Sequence, residues 1–270
     1  NQNQATAKNM IEINHCLIGR FECSFGENSC CYMAEGDLSI SSMMKKKSNS
    51  CFPLNHYHGI SIVINLDELL PEIRQIMELL NIDLHYIQKY ICEGNRCCIM
   101  RANPSIFSEL YHVREKRKPG YMKVKMLELL LFLSDLNTAE EVLQTDYFNQ
   151  NQVALIKAVA SYITEDLTAH HTIEQLSQKF AISTTALKKC FRGVYGTSVY
   201  SYLRTYRLQV AKKLLLETES SVTEIASKIG YENPNKFTSA FKETYGSSPT
   251  EFRKSVRLDR SGSVWSGEEI

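Results

Sequence analysis

One helical unit is written twice in the last third of this chain, and that repeat restricts the fold more than any other feature. Residues 190–198 read Cys-Phe-Arg-Gly-Val-Tyr-Gly-Thr-Ser, and residues 240–248 read Ala-Phe-Lys-Glu-Thr-Tyr-Gly-Ser-Ser. At a constant offset Phe191 meets Phe241, Tyr195 meets Tyr245, Gly196 meets Gly246 and Ser198 meets Ser248. Upstream, residues 174–179 match residues 223–228 at an offset one shorter. A repeat that keeps its apolar positions while absorbing one residue in a turn is a structural unit used twice.

Local signals divide each copy into two short helices around a tight turn. Thr172 is an N-cap for residues 173–180, and Gln175 completes a capping box. Ser183 caps residues 184–195, which Gly196 closes as a C′ residue. Residues 199–216 form a long connecting helix with Leu203, Leu208, Ala211, Leu214 and Leu215 as its buried stripe. In the second copy a helix over 223–229 ends at Gly230. Asn233 or Pro234 opens the next, which runs to Tyr245 and stops at Gly246, and residues 249–255 form a last short helix. A helix packed across a second one, joined by a tight turn, with the outer face of the second free of bulky apolar groups, is the helix-turn-helix that reads DNA. In the first copy Leu176, Phe180, Ile182, Leu187 and Phe191 form the core, which leaves Thr184, Thr185, Lys188, Lys189 and Arg192 outside. In the second, Ile225, Ile229, Tyr231, Phe237 and Phe241 are core, and Asn235, Lys236, Thr238, Ser239 and Lys242 are outside. Short donors and acceptors suit base edges, and the cations among them suit phosphates. The plain alternative for each is a solvated helix face.

These residues resemble the AraC/XylS transcription regulators. That family's pattern after the first recognition helix is met by Gly196, Ser198, Tyr202-Leu203 and Arg207, followed by Ala211 and Leu214-Leu215. Its second copy is met by Ile225-Ala226, Gly230-Tyr231, Asn233, Phe237, Phe241-Lys242, Gly246, Pro249 and Phe252-Arg253. The resemblance covers residues 153–254. It implies a module that sets two recognition helices into successive major grooves on one face of double-stranded DNA, about 34 Å apart. By the match, Thr185, Lys188 and Lys189 face bases from the first helix, and Pro234, Asn235, Thr238 and Ser239 from the second. Two departures count. Lys189 stands where the family usually has Arg, which weakens bidentate guanine reading, and Pro234 has no backbone N–H and serves to start its helix. Arg207 reads as a structural partner for a helix end or a carboxylate, and Cys190 as core. The resemblance also implies an activator that contacts RNA polymerase. It implies a front domain, loosely similar to the cupin-type sensor of pyochelin-responsive regulators, that binds a small-molecule effector and dimerises.

Charge follows the same division. Residues 1–151 hold 15 Lys+Arg and 18 Asp+Glu, residues 152–258 hold 15 and 9, and residues 259–270 hold 1 and 3, giving −3, +6 and −2 and the total of +1. A basic block behind a slightly acidic front is the footprint of a nucleic-acid module attached to a regulatory domain. The expected fold is α+β, with a small N-terminal β-barrel of cupin-like jelly-roll type plus helices, then an all-α C-terminal domain. The expected domains are residues 1–148 for sensing and dimerisation, 149–258 for DNA, and a flexible tail over 259–270. In the front, residues 11–25 alternate, a turn at Gly26-Glu27-Asn28 folds them onto 30–34, a second turn at Glu35-Gly36-Asp37 precedes 38–42, and 60–64 is a β-branched strand. Residues 43–50, with Lys45-Lys46-Lys47, read as an exposed loop. From residue 69 the period becomes helical. Helices are expected over 69–80, 83–90, 105–114 and 121–136, with a charged break at 114–120. The last helix carries the stripe Val124, Leu127, Leu130 and Leu131 as a homodimer face. The polar residues 137–152 form the boundary.

The front half holds one sharp chemical pattern, His56-Tyr57-His58. Alternate histidines on a strand share a face and are metal ligands in cupins, where a Glu follows within a few residues. Residues 60–66 contain no Glu, so the pattern argues for no metal. His15, His56, His58 and Tyr57 are instead candidate polar contacts to an effector, beside the plain reading of structural or surface side chains. No cofactor is called for. Nine cysteines, without a CxxC pair, suit thiols of a reducing cytoplasm. No apolar run is long enough to span a bilayer, and the start shows no basic-then-apolar signal. Opening at Asn1 without Met predicts that the numbering begins inside a longer protein. Two other readings stand beside an effector-responsive regulator: a DNA binder controlled only by partner or oligomer, and a metal-cupin enzyme fused to a DNA module. The enzyme would need a complete metal triad or a metal-held cysteine cluster, and the sequence offers neither, so a non-enzyme is expected.

Overall fold

A computed structural model describes residues 9–25, 29–42, 51–54, 56–91, 98–135 and 146–262. The chain divides into two compact units, residues 1–153 with the short segment Gly193–Gly196, and residues 154–192 with 197–270.

The first unit is built on two open antiparallel sheets. β1 (Met10–Gly19) lies between β4 (Asp37–Ser42) and β5 (Tyr57–Asn65), and β6 (Cys98–Arg101) adds to the far side of β4. The second sheet has β3 (Ser29–Met33) between β2 (Phe21–Phe25) and β7 (Phe148–Asn149). Side chains alternate across a strand, so a strand of the first sheet can serve two cores. Ile11 and Ile13 of β1, Leu38 and Ile40 of β4, and Cys98 and Met100 of β6 face one way. They pack against Met77 of α1 (Pro71–Leu79), Leu84 of α2 (Leu84–Tyr86) and Ile87 of its π-helical continuation Ile87–Ile91. Ile106 and Phe107 of α3 (Pro104–Phe107) and Leu129, Leu130 and Leu133 of α4 (Lys118–Ser134) complete that core. On the other side Cys16 and Ile99 meet Cys23, Cys31 and Met33 of the second sheet.

Several expectations change here. The described strands form two open sheets. Strand β6 and the two-residue β7 were not expected. Phe148 of β7 is buried and pairs with Cys30, so the segment read as a polar boundary is partly stitched into a sheet. The expected helix over 105–114 shrinks to α3, capped by the Asn103 side chain on Ser105 N–H at 3.1 Å. The charged break at 114–120 is already helical from Glu115: a 3₁₀ turn leads into α4, where Pro119 occupies a first-turn position that needs no N–H. The turn at 26–28, the loop at 43–50, the last residue of the expected 121–136 helix, residues 137–145 of the boundary and residues 263–270 of the tail lie outside the described residues.

The second unit is helical: α5 (Gln150–Glu165), α6 (Ile173–Lys179), α7 (Thr184–Tyr195), α8 (Val199–Glu217), α9 (Val222–Lys228), α10 (Pro234–Tyr245) and α11 (Pro249–Gly262). The last helix runs to Gly262, beyond the expected 255 and into the segment read as a tail. Among the described residues no helix is long and apolar enough to cross a membrane.

Candidate nucleic-acid interface

Each copy of the repeat folds as two helices joined by a left-handed turn. α6 starts with the capping box of Thr172, whose hydroxyl accepts from Gln175 N–H at 3.1 Å while the Gln175 side chain accepts from Thr172 N–H at 2.9 Å. α9 starts with the equivalent box of Ser221 and Glu224, which the sequence reading missed because it placed the helix one residue late. The turns fall on corresponding residues: Ala181 has φ +51° and Gly230 has φ +80°. α7 opens on the Ser183 hydroxyl, which accepts from Ala186 N–H, and α10 opens on the Asn233 carboxamide, which accepts from Asn235 N–H. Gly246 ends α10 at φ +78°.

The core behind α10 is continuous. Phe237, Ala240 and Phe241 pack with Ile225, Ala226 and Ile229 of α9 and with Leu208, Ala211 and Leu215 of α8. Phe241 meets Phe237, Tyr245 and Phe252 at ring-centroid distances of 5.7, 4.6 and 5.6 Å. Arginines fasten the frame. Arg207 is buried and donates to the Leu167 carbonyl at 2.6 Å and the Ala169 carbonyl at 3.4 Å. Its structural role is the one expected, with loop carbonyls as partners. Arg253 donates to the Leu215 and Ser220 carbonyls at 3.3 and 2.6 Å, closing the end of α8.

With Leu187, Cys190, Phe191 and Val194 buried, α7 leaves Thr185, Lys188, Lys189 and Arg192 exposed, with Thr184 half-buried. With Phe237, Ala240 and Phe241 buried, α10 leaves Asn235, Lys236, Ser239 and Lys242 exposed, with Pro234 and Thr238 half-buried. Spacings of three and four place 185, 188, 189 and 192 on one stripe. The repeat carries that stripe onto 235, 238, 239 and 242. Chemically the stripes differ. The first has three cations and a hydroxyl; the second has one cation, with Asn, Thr and Ser, and Lys236 beside it. The first favours phosphates and guanine, whereas the second is richer in short groups that discriminate base edges.

This geometry is that of paired helix-turn-helices, and residues 176–255 match the helix-turn-helix domain family. The C-terminal unit is an AraC/XylS-family DNA-binding domain. The chain is similar to the xylose operon regulatory protein of Escherichia coli K12, with 28% identity over 146 residues, covering 51% of this chain and 37% of the relative. It is similar also to the HTH-type transcriptional activator RhaR of Yersinia pestis bv. Antiqua, with 27% identity over 147 residues, covering 52% of this chain and 49% of the relative. The chain thus spans between about a third and a half of the length of these curated relatives. A solved structure of the DNA-binding domain of AdpA in complex with a target DNA shares 27% identity, covers 39% of this chain and 96% of its own, and has a TM-score of 0.38.

In the first unit the histidine pattern comes apart. His56 precedes β5, is exposed, and donates from Nδ1 to the Leu54 carbonyl at 2.9 Å. His58 is exposed and meets the Tyr111 ring edge-on at 5.4 Å. His15 is buried, stacks on Phe107 at 4.0 Å and lies 2.7 Å from the Tyr111 hydroxyl through Nδ1. Burial pushes its pKa down to about 4. Tyr57 donates to the His15 carbonyl at 3.3 Å and stacks on Phe52 at 5.1 Å. Tyr111 thus joins His15 to His58. No local signal marked it, because its partners lie far away in sequence. Among the described residues no three His, Cys, Asp or Glu side chains converge as a metal set. Of the dimer stripe, Val124 and Leu131 are exposed and Leu127 is half-buried. Leu130 is sealed in this chain's own core at 0% exposure, so its assignment to a dimer face is corrected.

Proposed function

We propose that this protein is a sequence-specific transcription regulator that sets α7 and α10 into two adjacent major grooves of an operator. The paired stripes carry the reading, because two sets of exposed and half-buried polar and cationic side chains stand at corresponding positions on two helices of one repeat. Thr184, Thr185, Lys188, Lys189 and Arg192 contact the first half-site, and Pro234, Asn235, Lys236, Thr238, Ser239 and Lys242 the second. The family resemblance supports activation through RNA polymerase in the cytoplasm. It also supports a cupin-like first unit that binds a small-molecule effector around Tyr111, with His15, Tyr57 and His58 beside it, and that pairs with a second copy through Val124, Leu127 and Leu131. The names of the two curated relatives, an operon regulator and a transcriptional activator, fit that role.

The test is equilibrium binding of the whole chain to duplexes selected from a random pool. Lys189→Ala weakens binding to the selected duplex by about 1–3 kcal/mol at fixed salt. An unchanged affinity would remove Lys189 from the reading set. Native mass spectrometry before and after denaturation tests the effector: a non-covalent adduct lost on unfolding supports it, and a bare dimer points to control by assembly alone.

A further inference from the structure

We infer that Arg204 of the connecting helix is a contact for a DNA backbone phosphate, held at the edge of the second reading stripe by Glu243. The inference rests on the DNA-binding reading above. A cavity of about 620 Å³ opens between α8 and α10, and Tyr200, Arg204, Asn235, Lys236, Ser239 and Glu243 are among its lining residues. Three of these, Asn235, Lys236 and Ser239, belong to the proposed DNA face, so a duplex seated on α10 covers the mouth of this groove. The groove is cationic on balance, with Arg204, Arg207 and Lys236 against Glu232 and Glu243. That sign suits a polyanion.

Glu243 poses the problem that Arg204 solves. It stands one turn beyond Ser239 with its side chain 70% exposed, where a bare carboxylate would repel a phosphate backbone. The Arg204 guanidinium bonds its Oε2. A guanidinium has five N–H donors in a planar fork, so the Glu243 carboxylate and the Tyr231 hydroxyl, its second side-chain partner, do not exhaust it. The Arg204 side chain keeps 38% exposure. Arg207, by contrast, is committed to the Leu167 and Ala169 carbonyls. Tyr200 lies one turn earlier on the same face of α8 and is 76% exposed, which makes its hydroxyl a second donor beside the same strand.

The test is the salt dependence of binding of the whole chain to a labelled random-sequence duplex, read by fluorescence anisotropy. Each phosphate neutralised contributes about 0.9 to the slope of log K against log salt. Arg204→Gln lowers that slope by about 0.9, whereas Arg204→Lys retains it. The decisive comparison uses Glu243→Gln. If Arg204 touches a phosphate, Arg204→Gln lowers the slope equally with Glu or Gln at position 243. If it only neutralises Glu243, the effect vanishes in the Glu243→Gln background, and the inference is overturned. A lower melting temperature for Arg204→Gln with an unchanged slope would show a purely structural arginine and overturn it too. Absence of salt-dependent binding by the unsubstituted chain overturns both this inference and the DNA-binding reading.

Discussion

Gly230→Ala strikes the turn of the second helix-turn-helix at a point where backbone and packing both demand glycine. The residue sits at φ +80°, and an added Cβ would stand 2.1 Å from the Leu167 carbonyl oxygen and 2.9 Å from Nη2 of Arg207. An L residue in the left-handed region costs about 1–2 kcal/mol. Displacing the Leu167 carbonyl also loosens its 2.6 Å bond from Arg207, and a hydrogen bond to a charged group contributes about 1.5–3 kcal/mol. Together these destabilise the second unit by roughly 3–5 kcal/mol. The first copy supplies an internal control. Ala181 already occupies the matching turn at φ +51°. Ala181→Gly relieves strain of about 1–2 kcal/mol while adding about 0.4–1 kcal/mol of unfolded-chain entropy, so its net effect lies between about zero and 1.6 kcal/mol of stabilisation. Urea unfolding followed by far-UV circular dichroism measures both, with hydrogen exchange of the α9 and α10 amides assigning the loss to this unit. Two substitutions agreeing within about 0.5 kcal/mol would refute the claim that packing at Leu167 and Arg207 makes the two turns different.

Other outcomes follow from single contacts. Folded His15 binds a proton only near pH 4, whereas an unfolded imidazole binds one near 6.5, so unfolding takes up a proton in between. Stability is therefore fully present above that window and falls by roughly 1–2 kcal/mol between pH 7 and pH 5; chemical denaturation at the two pH values checks it, and His15→Asn should flatten the profile. Arg253→Met removes the bonds to the Leu215 and Ser220 carbonyls and should cost about 2–3 kcal/mol in the same unfolding assay, with an effect below about 0.5 kcal/mol showing that these bonds add nothing net. Thr172→Ala and Ser221→Ala each remove one capping box and should each cost about 1 kcal/mol, nearly additively because they cap different helices. Strongly unequal costs would contradict the equivalence of the two copies.

How much could be read from residues alone depended on how far apart the interacting residues lie. The Thr172–Gln175 box, the Ser183 and Asn233 caps and the stop at Gly246 involve neighbours within one helical turn, so spacing revealed them. The two stripes were legible for the same reason: Phe191 and Phe241 fix which side of each helix is inside, and the opposite side follows from the 3.6-residue period. β6 was not legible, because Leu38 pairs with Met100 and Ile40 with Cys98 across some sixty intervening residues. Phe148 lay in a polar context and reaches a sheet only through β3. Tyr111 became the partner of His15 and His58 through tertiary packing that no periodicity encodes. In His56-Tyr57-His58 the alternation is real in sequence, but β5 begins at Tyr57, so His56 lies before the strand.

On the proposed function, one chain reads two grooves with two corresponding helices. Hydroxyl-radical footprinting on duplexes selected by the whole chain decides whether it does. Two protected blocks are expected on one face of the duplex, centred one helical turn, ~10–10.5 base pairs, apart. Lys189→Ala should weaken protection in one block and Ser239→Ala in the other. A single protected block, or no enrichment over the starting pool, would contradict it.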